Sequence, residues 1–146
     1  MKQSVQWKVE GEPKSTTILK LSQFDEKAVG FIYELHFSNG RKYIGRKALS
    51  HKRTRPPLKG AKRKRVDYVD SGWLKYEGSI KNLQYKEDIK AGRIHLIQKV
   101  ILKICFDKWD MTYYETKYQF DRDCLVDNKY YNGNILGKFY RKKLKK

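Results

Sequence analysis

The chain has 146 residues, with 34 Lys and Arg against 16 Asp and Glu and a net charge of +18, far beyond what solubility requires, so a polyanionic partner is expected. One compact domain fits this length and multidomain machinery is excluded; 39% apolar and 14% aromatic residues exclude a disordered basic tail and imply a modest core. No apolar run approaches a membrane span and the start MKQSVQWKVEGEP has no signal core, so a cytosolic chain is expected and the membrane is excluded as a partner.

Residues 1–28 mix polar and apolar positions without a sustained period, with a short strand expected near Thr17-Ile18-Leu19. Phe31 to Phe37 alternates, with Phe31, Tyr33, Leu35 and Phe37 on one face and Glu34 and His36 on the other, as in a half-buried strand. Ser38-Asn39-Gly40-Arg41 follows, and Asn-Gly supplies the positive φ angles of a tight turn, so Lys42 to Arg46 returns as the second strand of a hairpin over 31–46.

Arg46 to Arg65 holds ten Lys or Arg and no acid, with Pro56-Pro57 in the middle. Proline argues against a long helix, and the segment reads as an extended basic loop. Ser79 to Ala91 has helical spacing, with Ser79 as cap and Gly92 as stop. Ile94 to Phe106 alternates from Gln98 onward and is taken as the central strand. Asp110-Met111-Thr112 offers caps for a helix reaching about Val126. Asn128 to Tyr140 reads as irregular. Cys105 and Cys124 lie in apolar segments without Cys-x-x-Cys spacing, as reduced core thiols do, so structural zinc is not expected.

Two tracts stand out in the hairpin: Gly30-Phe31-Ile32-Tyr33, and Tyr43-Ile44-Gly45 on the returning strand. Adjacent strands bring such phenols close enough to converge on one phosphate, although ordinary sheet aromatics account for tyrosines in strands equally simply. With these tracts the chain resembles the GIY-YIG nuclease superfamily. A second likeness lies downstream, where Thr112-Tyr113-Tyr114-Glu115 follows the third strand as a helix bearing a metal-binding glutamate does in that superfamily. Trp73, Tyr76-Glu77-Gly78-Ser79 and Tyr130-Tyr131-Asn132 resemble phage-encoded homing-type (Seg-like) endonucleases. The likeness spans about 29–140, leaving 1–28 as an N-terminal extension and 141–146 as a basic tail.

The resemblance implies an α+β fold: a small three-stranded antiparallel sheet flanked by helices, with a long basic loop over 46–65 and a basic C-terminal tail. It implies a DNA endonuclease with one divalent metal, Mg²⁺ or Mn²⁺, held by Glu115. By sequence alone, Thr112-x-x-Glu115 is also a capping box in which the glutamate serves a helix end. Tyr33, directly or through Tyr43, would activate water. A cation would offset charge on the phosphate, with Lys47 and Arg46, anchored on the strand, favoured over Arg53 and Arg55 in the basic run. A closing asparagine is assigned to Asn134, with Asn132 as the other candidate and a plain Asn-Gly turn as the alternative. Phenols ionise near pH 10, so nearby cations lowering their pKa belong to this expectation. His51, Lys52, Arg53, Arg55, Lys62, Arg63, Lys64 and Arg65 are expected to contact nucleic acid, with His51 also a candidate proton shuttle. His36 and His95 read as strand-surface residues.

Duplex DNA is the expected partner, and the cytoplasm of a bacterial host the expected location if the chain is phage-encoded. Two other readings fit the same charge: a non-catalytic DNA- or RNA-binding module on this scaffold, and a basic structural protein assembling on RNA.

Overall fold

The computed structural model describes residues 5–9 and 17–141. In chain order it contains β1 (Trp7–Val9), β2 (Thr17–Ile18), β3 (Gly30–Phe37), β4 (Lys42–Ala48), β5 (Ser50–Arg55), β6 (Arg65–Asp70), α1 (Leu83–Lys90), β7 (Leu96–Cys105), α2 (Lys108–Asp121), β8 (Asn134–Ile135) and β9 (Phe139–Tyr140). The class is α+β, but the main sheet is neither three-stranded nor purely antiparallel. Its order is β2-β1-β7-β3-β4, and β1 runs parallel to β7 with Trp7 beside Lys99.

The reason is Trp7. Its side chain is fully buried, packs edge-on against Phe31 at 4.8 Å between ring centroids, and donates its indole N–H to the Trp73 carbonyl at 2.8 Å. Truncating a core tryptophan costs about 3–5 kcal/mol. Residues N-terminal to the family likeness therefore contribute to the same core.

The hairpin forms, but only Gly40 of the Asn-Gly pair takes the left-handed conformation, Asn39 acting through its side chain. Gly40 takes φ +82°, the Asn39 carboxamide oxygen accepts from Arg41 N–H at 3.0 Å, and Phe37 N–H bonds to the Arg41 carbonyl at 2.9 Å. β3, however, is covered on both faces rather than one. Phe31, Tyr33, Leu35 and Phe37 join Trp7, Phe24, Trp73 and Ile80, while Ile32 meets Ile44, Cys105, Met111 and Cys124 under α2. Glu34 is consequently 2% exposed. Its carboxylate accepts from Arg122 and from the Tyr130 hydroxyl at 3.2 Å, and it lies 2.7 Å from Nε2 of the half-buried His36, which closes this network on the solvent side. Burial works against ionisation of Glu34, but His36 and Arg122 outweigh it and hold its pKa below the usual carboxylate value.

Half of the basic loop is strand, while 56–64 remain a connection. β5 pairs antiparallel with β6 from Ser50↔Asp70 to Arg55↔Arg65, making a two-stranded ribbon whose connection keeps the two prolines. Its base is fixed where the buried Leu49 donates its N–H to the Val29 carbonyl at 2.9 Å and accepts from Ser71 N–H at 3.1 Å. α1 starts at Leu83, capped by Asn82, which accepts from Tyr85 N–H at 3.0 Å; Ser79 caps nothing. Part of the 128–140 segment forms the small β8–β9 hairpin. Of the basic tail, only Arg141 falls within the described residues, and it clamps the carbonyls of Asp127 at 3.0 Å and Asn132 at 2.9 Å. Cys105 and Cys124 are both free and buried.

Candidate active site

β4 is the outer strand of the sheet, and side chains from both its faces meet at its edge. Segment 129–132 covers the first part: Lys42 N–H donates to the Lys129 carbonyl and Tyr131 N–H to the Lys42 carbonyl. The Asn132 side chain continues this ladder, accepting from Ile44 N–H at 3.0 Å and donating to the Ile44 carbonyl at 2.7 Å. Beyond Ile44 the edge opens into a cleft of about 680 Å³ lined by Tyr43, Arg46, Ser79, Glu115, Asn132 and Asn134, among others.

Glu115 reaches this cleft from α2. The helix begins at Lys108, where Asp107 accepts from Asp110 N–H at 2.7 Å, one turn earlier than Thr112. Glu115 is thus mid-helix and caps nothing, which removes the capping-box reading. Its side chain is 20% exposed, and Oε1 lies 3.7 Å from Arg46 Nε, while Arg46 Nη1 donates to the Thr112 hydroxyl at 2.9 Å. Burial raises the Glu115 pKa above its ordinary value, with Arg46 offsetting part of the rise.

Tyr33 stands opposite Gly45, and Tyr43 opposite Leu35, so the two phenols are diagonal rather than facing, with ring centroids 6.3 Å apart. Tyr33 is 1% exposed and lies directly over Gly45: a Cβ there would sit 2.5 Å from the Tyr33 hydroxyl. Only glycine leaves room for the ring. The Tyr33 ring packs edge-on against Tyr76 at 5.9 Å between centroids, and the Tyr76 hydroxyl lies 2.6 Å from Ser79 Oγ at the cleft wall. Lys47 Nζ sits 4.2 Å above the Tyr76 ring, so it packs on the Tyr33 side of the strand while Arg46, one residue back and on the opposite face, enters the cleft.

Burial raises the pKa of both phenols. Tyr33 is pushed up strongly, with Tyr43, Tyr76 and Glu115 adding to the effect of burial, and Tyr43 is pushed up to about 12, with Glu115 the next cause. The expected lowering by cations does not occur, because burial dominates and the neighbouring phenols and Glu115 add to it.

Residues 7–135 match the family model described as "Putative endonuclease segE, GIY-YIG domain". The chain belongs to this GIY-YIG endonuclease family. Comparison with curated proteins and with solved structures gives no match. The family match begins at Trp7 rather than near residue 29, in step with β1 lying in the sheet. For a GIY-YIG domain, the sequence-predicted residues gathered at one place are Tyr43, Arg46, Glu115 and Asn134, with Tyr33 and Lys47 just behind. Asn134 lines the cleft, but its Oδ1 accepts from Gly137 N–H at 2.9 Å. His51, Lys52, Arg53, Arg55, Lys62, Arg63, Lys64 and Arg65 lie instead on the β5–β6 ribbon and its tip. Tyr76 and Ser79 were signalled only as part of the Tyr-x-Gly-Ser tract, not as site residues.

The donor set suits a hard divalent ion. One carboxylate, Glu115, faces a cleft lined also by amides and hydroxyls and by the cations Arg46, Lys81 and Arg141, and Mg²⁺ takes one or two protein carboxylates while keeping several waters. Among the described residues no three His, Cys, Asp or Glu cluster to form an all-protein cage.

Proposed function

We propose that this GIY-YIG chain hydrolyses phosphodiester bonds of duplex DNA with one divalent metal, Mg²⁺ or Mn²⁺, in a homing-type role in a bacterial host's cytoplasm. The observation that carries this reading is the partly buried Glu115 carboxylate at the cleft, 3.7 Å from Arg46 and beside Tyr43. When bound there, the ion supplies charge neutralisation at the phosphate and a water of lowered pKa.

The chain's own groups bind and orient. Arg46, held by Thr112 and Glu115, is placed to offset negative charge building on the non-bridging oxygens, the electrostatic contribution that commonly dominates such sites. Tyr43, with its pKa pushed up to about 12, stays a neutral phenol at physiological pH and acts as a hydrogen-bond donor to phosphate or water rather than as a phenolate base. Tyr33 is a positioning residue: its ring braces the Tyr76 ring, whose hydroxyl meets Ser79. Lys47 holds the Tyr76 ring from above. Asn132 fixes the β4 edge, and Asn134 shapes the cleft wall. No helix among the described residues is long and apolar enough to cross a membrane.

Supercoiled plasmid incubated with Mg²⁺, with Mn²⁺ and with EDTA tests the reading. Wild type nicks only with metal, Glu115→Ala abolishes nicking, and Tyr43→Phe slows it. Wild type bound to DNA but inert with every divalent ion would instead support the non-catalytic binding module.

A further inference from the structure

The β5–β6 ribbon plays no part in the cleft chemistry, yet it is the most charged element of the molecule. Residues 50–65 hold eight Lys or Arg, and residues 50–70 hold only two acids, Asp67 and Asp70. Both faces are open to solvent, with most positions of either strand exposed. Two paired strands are 4.7–4.9 Å apart, and a two-stranded ribbon with its side chains fits the roughly 12 Å major groove of B-form DNA.

Register sorts the side chains. His51 opposite Val69, Arg53 opposite Asp67, and Arg55 opposite Arg65 share one face. On that face Asp67 binds Arg55 Nε at 2.6 Å and lies 3.7 Å from Arg53, and Arg65 Nε donates to the Pro56 carbonyl at 3.3 Å. The three guanidinium groups are thus oriented before any ligand arrives, which suits bidentate reading of guanine O6 and N7. Lys59, Lys62, Arg63 and Lys64 at the tip are exposed and enter none of the ion pairs among the described residues, as phosphate contacts require.

Chain length sets the reach. Arg55 is nine residues after Arg46, at most about 32 Å away when fully extended, which is less than the 34–36 Å of one DNA turn. Because Leu49 anchors the ribbon in the core, this offset is fixed rather than tethered.

We infer that the β5–β6 ribbon inserts into the major groove of duplex DNA within one helical turn of the cut and selects the target sequence, with Arg53 and Arg55 reading bases under the orientation of Asp67 and the 59–64 tip gripping phosphates. This rests on the nuclease reading only for the position of the cut; base selection does not need cleavage. The test is therefore a metal-free binding selection from a randomised duplex library with the full chain, followed by Mg²⁺ cleavage of the selected DNA. Thermal melts check that each variant is folded.

Wild type should enrich a motif containing G·C pairs, and Arg53→Ala or Arg55→Ala should each flatten one position, with roughly 5- to 150-fold less discrimination. Asp67→Ala should bind random DNA more tightly while discriminating less, because a repelling charge and the orienting group are lost together. Replacing Lys62, Arg63 and Lys64 by Ala should leave the motif intact and lower the slope of log K against log salt by about 3. A wild type that enriches nothing, a motif untouched by either arginine change, or stronger competition by single-stranded DNA or RNA than by duplex would overturn the inference. Enrichment without cleavage would overturn the nuclease reading and leave this one standing.

Discussion

Gly45→Ala tests whether the cleft depends on Tyr33 lying across the β4 backbone. An alanine Cβ would fall 2.5 Å from the Tyr33 hydroxyl oxygen, 2.7 Å from its Cζ and 3.1 Å from Tyr43 Cε1. Ordinary contacts begin near 3.4 Å, so the Tyr33 ring must retreat by about 1 Å. It cannot retreat freely, because Trp7 packs on it at 5.5 Å and Tyr76 at 5.9 Å between centroids. Overpacking of this kind costs about 1–3 kcal/mol, or roughly 3–10 °C in melting temperature for a chain of this size. Urea and thermal unfolding read the stability, and plasmid nicking reads the cleft. In Tyr33→Phe the oxygen is gone but the ring carbon at 2.7 Å remains, so the alanine penalty in that background should shrink by about 0.5–1 kcal/mol without vanishing. A Gly45→Ala protein within about 0.5 kcal/mol of wild type, with the same penalty in the Tyr33→Phe background as in the parent, would refute the steric account.

Three other substitutions probe charge. Burial raises the Glu115 pKa, so the folded state holds this proton more tightly than the unfolded chain, and the associated stability is lost as pH rises through the folded value. Metal-free Glu115→Gln should therefore melt higher than wild type at pH 8, with the gap closing below pH 4, while cleavage is lost; calorimetry across pH checks this. Glu34 has the opposite sign, with a pKa held down by His36 and Arg122 against burial, so its contribution is present above the usual carboxylate range and fades on acidification. Glu34→Leu should cost about 3 kcal/mol at pH 7, and less at pH 3, by urea titration. Lys99 is fully buried, donates to the Leu74 carbonyl at 3.0 Å and sits 4.2 Å over Trp7, and burial lowers its pKa from 10.5 to about 8. A lowered lysine pKa makes the wild type gain stability between pH 8 and 10.5, on the order of 3 kcal/mol. Lys99→Met lacks this gain, so the stability difference between the two proteins should shift by that amount across the window, with tyrosine and cysteine titrations cancelling. Parallel profiles would count against it.

The hairpin was legible because its determinants are local: an alternating strand, Asn39-Gly40, and a second alternating strand. The same holds for β7. What escaped depends on partners distant in sequence. Three residues, Trp7 to Val9, are too few to show a period, and they become a strand only because β7, some 90 residues later, offers an edge. Glu34 occupies an alternation position that reads as solvent, and it is buried because Arg122 and Tyr130 arrive from the other end of the chain. The start of α2 was misplaced because Asp107-x-x-Asp110 and Thr112-x-x-Glu115 are both plausible openings, and the first wins with Phe106 N–H donating to Asp110 at 3.0 Å. The ribbon was hidden by its own charge: the run of Lys and Arg over β5 has no apolar face, and in β6 only the β-branched and aromatic Val66, Tyr68 and Val69 speak for a strand.

The failed expectation about the phenols shows why composition does not convert into local potential. A cation 15 Å from a phenol in water contributes about 0.3 kcal/mol before screening, and at physiological salt the Debye length of about 8 Å removes most of that. Moving Tyr43 from 10 to about 12 corresponds to roughly 3 kcal/mol, set by burial and by Glu115 in the same cleft. Even several ribbon cations could not reverse it. The large positive charge can therefore hold a polyanion against the protein, while proton affinities at the β4 edge are decided by the few groups touching there, of which Arg46 is the cation paired with Glu115. If the ribbon acts on binding and the cleft on chemistry, raising salt should weaken DNA affinity steeply and leave the single-turnover rate of bound DNA nearly constant. A single-turnover rate that falls in parallel with affinity would place the ribbon cations in the catalytic field after all.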